Sequence, residues 1–344
     1  MRAVTFQEPG KVVVEDVAEP EIVDAHEAIV AVQTSAICGS DLHIYHGRVK
    51  IEPGFTIGHE FVGTVIAAGP AVERVAVGDR VLGCFHTACG TCLPCLRGDY
   101  HRCERGRTFG HGAALGGLQG AQAEQVLVPY ADLTLRRAPE GMSGELALFA
   151  GDVMGTGYHG VASAGLTVGD SVAVLGLGPV GLCALQAART AGARTVIGVD
   201  TVPERLAMGR SFGAVALHLS DDDVKGSVRA ATSGRGVDVV IDAVGDPSAL
   251  ALALSLARPG GTISALGVYA ERCDVHMGLA WIKGLTIRTG VANVIAHVDR
   301  VIDLLADGAL DPAPLITHRM SLDEAPEAYA IFDRREALKI VLSP

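Results

Sequence analysis

No run of lysine and arginine occurs in the sequence, and 28 basic side chains face 39 acidic ones, a formal charge of −11 over 344 residues. Nucleic acid or an anionic membrane surface gains little by releasing counterions to such a chain. Small molecules are therefore the expected ligands. The longest apolar run, 172–185, is broken by Gly176, Gly178, Pro179 and Gly181 and falls short of the roughly 20 residues that span a bilayer. The first six residues carry one arginine and then a short alternating stretch that reads as a strand, without the charged head and apolar core of a signal peptide. The expectation is a cytoplasmic protein with no membrane partner. Charged residues are few, 19% against 49% hydrophobic, which supplies a buried core and leaves no compositional case for disorder. Internal repeats and low-complexity segments are missing too. Cysteine, by contrast, is present eight times, and four of the eight crowd between Cys89 and Cys103. In a chain without secretory features this points to metal rather than disulfides.

The length suits one large or two ordinary domains. Up to about residue 150, Gly and Pro break the sequence into short β-rich pieces such as 28–32, 61–67 and 125–128. From about 155 to 290 apolar strands alternate with Ala-rich helical stretches: strand 171–175, helix 180–191, strand 195–200, helix 204–212, then strands at 237–243, 261–266 and 285–289. That alternation predicts an α/β fold, a doubly wound parallel sheet with helices on both faces. The tail adds a helix at 298–306 and a last strand at 339–342.

Cys89, Cys92, Cys95 and Cys103 form C-x2-C-x2-C-x7-C in a loop containing Gly90, Pro94 and Gly98. Thiolates spaced this way can wrap one zinc ion tetrahedrally, leaving no open position, so the site is expected to be structural. The segment Val172 to Gly181 reads as a strand, then Gly176-x-Gly178-x-x-Gly181, then a helix opened by Pro179 and Val180. Gly176 permits the tight turn, Gly178 lets the backbone approach a pyrophosphate, and Gly181 lets helix and strand pack closely. The helix N-terminus then faces the phosphates. Asp200 ends the next strand, 19 residues after Gly181. Its carboxylate suits the adenosine ribose hydroxyls and repels a 2′-phosphate, so NAD is expected rather than NADP. Val244 with Gly245, Leu266, Gly267 and Val268, and Gly290 with Val291 end later strands, the edge where such folds hold their cofactor. They are the candidate nicotinamide-side contacts.

Three further pieces complete a pattern: Cys38-Gly39-Ser40-Asp41-Leu42-His43, then Gly58-His59-Glu60, then the segment from Gly151 through Asp152 to Gly160. With these, the chain resembles the zinc-dependent medium-chain alcohol dehydrogenases over essentially its whole length. The resemblance implies a GroES-like catalytic domain, 1–154 and 291–344, carrying a zinc lobe at about 84–105, and a Rossmann NAD-binding domain, 155–290. It implies a catalytic zinc held by Cys38, His59 and Asp152, with Glu60 as an optional ligand. It also implies a proton relay through Ser40 and His43, a substrate-pocket position at Phe85, and a place for Arg205 beside the adenine. Asp41 is expected to stabilise its turn rather than react. Three protein ligands leave one zinc position for substrate oxygen, and an alcohol held there loses its proton more readily than in water. The resulting alkoxide is the hydride donor. With Cys38 and Asp152 anionic the site is formally neutral, so it keeps less Lewis acidity than an all-histidine site.

The expected activity is therefore NAD-linked interconversion of an alcohol with its aldehyde or ketone, using two zinc ions per chain. Polyol, threonine and formaldehyde dehydrogenases of the same family stay open, because a few pocket side chains decide among them. A non-catalytic NAD-binding protein is the reading from another class, disfavoured by the presence of all three ligands. The resemblance implies a homo-oligomer, a tetramer before a dimer. The apolar stretch around Trp281 could supply its contact, or could equally be a buried strand end.

Overall fold

The computed structural model describes residues 1–270 and 272–344, which divide into two compact units: Met1–Gly155 with Asn293–Pro344, and Thr156–Ala292.

The first unit is built on a seven-stranded sheet in the order Ile316–Ser321, Lys339–Ser343, Ala28–Ile37, Phe61–Ala68, Arg80–Gly83 and Leu135–Arg137, with Gln125–Val128 also paired to Ala28–Ile37. A three-stranded sheet of Lys11–Asp16, Arg2–Glu8 and Phe55–Thr56 accompanies it. The strand Ala28–Ile37 runs five residues beyond the expected 28–32. A register shift between Val32 and Thr34 explains the difference: the irregularity turns the polar Gln33 outward, and the buried pattern resumes through Ala36 and Ile37. That extension delivers Cys38 from a rigid element. Apolar faces of this sheet close one core around Phe61, Phe109 and Leu135. A second core gathers Ile37, Ile44, Tyr329 and Ile340. The helix Val294–Ala306 begins four residues before the expected start, because Val294 and Ile295 continue the buried face of Val298, Val301 and Ile302 at helical spacing.

The second unit is a six-stranded parallel sheet in the order Val215–His218, Thr195–Asp200, Ser171–Leu175, Val237–Asp242, Ala257–Ala265 and Thr286–Thr289. Counted along the chain this is 3-2-1-4-5-6, the doubly wound Rossmann order, whose direction reverses between Ser171–Leu175 and Val237–Asp242. All five residues of Ser171–Leu175 are buried, as a parallel strand covered on both faces requires. Ala257–Ala265 starts before the expected 261 because Ala257 already pairs with Val237, and the ladder resumes after a shift at Val239 and Thr262. Trp281 is not a buried strand end: it lies on the helix Met277–Lys283 and is 81% exposed. Among the described residues no helix is long and apolar enough to cross a membrane.

Candidate metal and cofactor sites

Three separate pieces of the first unit meet around one buried point. Cys38 follows the strand Ala28–Ile37, His59 and Glu60 precede Phe61–Ala68, and Asp152 sits where the helices Gly144–Gly151 and Val153–Ala164 join, its φ of −146° and ψ of −91° leaving helical geometry. One donor atom from each of Cys38, His59, Glu60 and Asp152 lies within 4.8 Å of all the others, and all four residues are buried. His59 Nε2 is 3.3 Å from Asp152 Oδ2 and 3.4 Å from Ser40 Oγ. Ser40 precedes the short helix Asp41–Tyr45 and His43 lies one turn on, so the two share a face of that turn. Burial holds the His43 pKa below its ordinary value, with Arg48 and His46 adding to it, so the ring is neutral at neutral pH.

Asp41 does more than stabilise its turn. It is fully buried; its Oδ2 accepts the Cys38 N–H at 2.9 Å, and its Oδ1 lies 3.2 Å from His59 Nδ1. One carboxylate thus fixes the residue carrying the thiol and orients the imidazole so that Nε2 faces the cluster, the arrangement that metal-bound histidines normally have. Burial opposes charge on His59, but Asp41 and Asp152 raise its pKa well above the usual value. Burial and the Asp152 carboxylate raise that of the Cys38 thiol. Glu60 is pushed up to about 7 by burial, against the pull of Lys339. Lys339, itself fully buried, pairs with Glu60 Oε1 and donates to the Ile37 carbonyl at 3.2 Å, while Glu60 Oε2 has no hydrogen-bond partner among the described residues. No sequence signal had marked Lys339 except that a lysine opens an otherwise apolar strand, Lys339–Ser343.

The donor set fits a divalent metal. Three buried carboxylates and a thiol face two cations, Lys339 and the His59 ring whose pKa they raise, an imbalance that is costly away from water. A dication would relieve it, and a mixed sulphur, nitrogen and oxygen set is one zinc accepts. A cation at this point also reverses the pressure on the thiol, favouring thiolate.

Two rings flank His59: Phe85, edge-on with centroids 6.2 Å apart, and His111 at 5.1 Å. Phe85 therefore stands beside the cluster. His111, which the sequence did not single out, is buried, and its Nδ1 lies 2.8 Å from the Phe109 carbonyl oxygen. Burial and then His59 hold its pKa below the ordinary value.

The four thiols of the second cluster also lie within 4.8 Å of one another. Cys92 and Cys103 sulphurs are 3.8 Å apart, far beyond a disulfide bond of about 2.05 Å. A zinc tetrahedron with Zn–S of about 2.3 Å has sulphur–sulphur edges of about 3.8 Å. Backbone N–H groups aim at the sulphurs: Cys89 and Arg105 at Cys103, Thr91 at Cys89. Against burial, the Thr91 contacts bring the Cys89 thiol down to about 6. The lobe is tied on by Asn293, whose side-chain amide donates to Gly98 O at 2.7 Å.

In the second unit, Gly176 adopts φ +82° and a Cβ on Gly181 would stand 1.8 Å from Gly176 O, so both positions demand glycine. The helix Pro179–Thr190 begins immediately after Gly178, at the reversal of strand order. Asp200 is 8% exposed, and its carboxylate accepts N–H groups from Leu177 (2.6 Å), Thr201 (2.7 Å) and Val202 (2.9 Å). It anchors the glycine loop through the Leu177 contact. Arg205 Nη1 is 3.9 Å from Asp200 Oδ2. Val244, Val268 and Val291, at the ends of their strands, are each about half exposed. Asp242, another residue missed in the sequence, is fully buried; it accepts from Val244 N at 2.9 Å, Gly245 N at 3.2 Å and the Tyr269 hydroxyl, joining two of these strand-end loops.

Residues 24–139 match the family described as alcohol dehydrogenase GroES-like domain, and 179–307 that described as zinc-binding dehydrogenase. Over its whole length the chain is 39% identical to a probable zinc-binding alcohol dehydrogenase of Mycobacterium tuberculosis, covering 89% of that protein. It is 36% identical to an uncharacterised zinc-type alcohol dehydrogenase-like protein of Bacillus subtilis, with both chains covered in full. Among solved structures, an alcohol dehydrogenase from Thermus sp. ATN1 superposes with a TM-score of 0.97 at 44% identity, over 100% of this chain and 99% of that one.

Proposed function

Since the chain belongs to the zinc-dependent medium-chain alcohol dehydrogenases, we propose that it is an NAD-linked enzyme with two zinc ions per chain, one held by Cys38, His59 and Asp152 with Glu60 in reserve, the other by Cys89, Cys92, Cys95 and Cys103. The observation carrying this reading is the convergence of four buried donor atoms within 4.8 Å. When bound, zinc would supply Lewis acidity toward an alcohol oxygen and NAD would supply the hydride-accepting ring. The balance is simple: the carbinol carbon gives up a hydride, its hydroxyl gives up a proton, and a carbonyl compound leaves. Ser40 Oγ, beside His59, takes the hydroxyl proton, since a hydroxyl both accepts and donates. His43, neutral at pH 7, is the next acceptor on the same face of the turn and returns the proton to solvent. Asp41 keeps Cys38 and His59 in register throughout, and Phe85 forms an apolar wall. The test is an oxidation screen with NAD across primary alcohols, secondary alcohols, polyols, threonine and formaldehyde, together with metal content. Two zinc ions and turnover are expected; one zinc and no turnover would contradict the reading.

Gly176, Gly178 and Gly181, with Pro179 and Val180 opening the helix, cradle the pyrophosphate in this proposal. Asp200 accepts from the ribose hydroxyls, Arg205 lies beside the adenine, and Val244, Leu266, Gly267, Val268, Gly290 and Val291 line the nicotinamide side. Hydrogen bonds to a charged acceptor are worth about 1.5–3 kcal/mol. Asp200→Gly is therefore expected to lower the kcat/KM preference for NAD over NADP at least about tenfold. The KM for NAD should rise as well, because Leu177 N loses its anchor. An unchanged cofactor ratio removes Asp200 from this role.

The proposal extends to a homo-oligomer, a tetramer before a dimer. Met277, Trp281 and Ile282 present exposed apolar side chains on one short helix, and Thr286–Thr289 is a sheet edge whose residues are all exposed. Such a face and edge together ask for cover. Trp281→Glu is expected to shift the sedimenting species to a smaller assembly, and an unshifted distribution would place the contact elsewhere.

A further inference from the structure

We infer that a cavity in the second unit, lined by Lys225, Arg229, Arg235 and Lys283, binds a small phosphoryl anion at a place separate from the dinucleotide loop.

The cavity has a volume of about 190 Å³, and its lining includes those four cations and no carboxylate. In a chain of formal charge −11 this is a local reversal of sign. Two further lining residues, Gly236 and Ala257, stand at the starts of neighbouring parallel strands, Val237–Asp242 and Ala257–Ala265. The glycine loop, Val244 and Gly245 lie at the opposite edge of the sheet, about 16 Å away along Val237–Asp242 at about 3.3 Å per residue. A cofactor at that edge leaves this cavity free.

Ordinary structural uses explain only part of the charge. Lys283 donates to the carbonyls of Leu254 (2.8 Å), Ser255 (3.0 Å) and Ala257 (2.7 Å), closing the end of the helix Pro247–Leu256 with all three of its hydrogens. Arg229 lies in the last turn of the helix Val224–Ala231, where the dipole favours a cation. Lys225 has no such explanation. It lies in the first turn of the same helix, where the dipole opposes a cation, and four residues before Arg229, so two like charges share one face. Among the described residues no carboxylate pairs with Lys225, Arg229 or Arg235. Burial and then Arg229 lower the Lys283 pKa, as expected of a cluster short of negative charge.

The turn that carries Arg235 is firmly held. Thr232 Oγ1 donates to Val228 O at 2.7 Å and accepts from Gly236 N at 3.0 Å. Ser233, Gly234 and Gly236 all take left-handed backbone, with φ of +52°, +81° and +92°, and a Cβ on Gly236 would stand 2.5 Å from Leu256 O. Such a conformation is uncommon for a residue with a side chain and persists where its surroundings impose it. A guanidinium presents paired N–H groups that match two phosphate oxygens, and a lysine adds a point charge. The volume is below the about 300–1,000 Å³ of pockets for drug-sized ligands, which selects phosphate or a small phosphate monoester over a nucleotide.

The test is equilibrium dialysis of the zinc-loaded protein against inorganic phosphate and, separately, methyl phosphate, at constant ionic strength and with excess NADH. One saturable site per chain is expected, and the tighter probe tells the free anion from a monoester. Hydrogen bonds to a charged group each carry a factor of about ten or more, so the double variant Arg229→Gln, Arg235→Gln should bind at least about tenfold more weakly. Lys225→Gln removes a charge that the helix dipole opposes. It should melt no lower than the wild type without phosphate, yet bind phosphate at least about threefold more weakly. No saturable uptake by the wild type below about 10 mM overturns the inference. Equal affinity in the wild type and either folded variant overturns it too, by placing the bound anion elsewhere.

Discussion

Cys38→Ala is expected to lower kcat/KM by at least about 10³-fold while leaving cofactor binding near its wild-type strength. A metal acting on a substrate oxygen is worth several kcal/mol of transition-state stabilisation, and each 1.36 kcal/mol is a factor of ten. The glycine loop and Asp200 belong to the other unit, so fluorescence titration with NADH should show little change. His59→Ala should lose turnover equally but is the harsher change: Asp41, fully buried, loses the imidazole 3.2 Å away, which adds a stability cost that Cys38→Ala avoids. Metal analysis of each purified variant should find about one zinc fewer per chain. Retained activity in either variant would remove Cys38 or His59 from the proposed ligand set.

Cys92→Ser and Cys103→Ser should act on stability first. The lobe around Cys89–Cys103 has few apolar side chains of its own, and Leu93 and Leu96 are exposed. A metal therefore takes the place of a core there, its binding free energy becoming folding free energy. Loss of several kcal/mol, at about 2–4 °C per kcal/mol for a unit of this size, gives an expected fall in Tm of about 10 °C. The KM for alcohol should move much less. Calorimetry with zinc analysis checks both, and a variant melting with the wild type would argue against a structural ion.

Much of this protein could be read without coordinates because its signals are local. The strands at 125–128, 171–175 and 195–200 lie where alternation and apolar runs put them, and the glycine loop, the four-cysteine spacing and Gly58-His59-Glu60 are each contiguous enough to carry their own chemistry. Boundaries failed where pairing overrode pattern, as at the irregularity in Ala28–Ile37, which only the partner strand explains. Of the two readings of the stretch around Trp281, the buried strand end failed for a related reason: an apolar residue looks the same in a core and on an exposed helix.

The linear chain thus specified the residue types able to bind metal and dinucleotide, since those depend on donor chemistry and short spacings. Folding alone decided which neighbours tune them. Lys339 reaches Glu60 across 279 residues, Asp41 turns toward His59, and His111 is set beside the imidazole by two glycine-lined backbones in contact. Charge, tautomer and burial are properties of such surroundings rather than of any single residue, so they emerge only when distant segments are packed together and water is excluded between them.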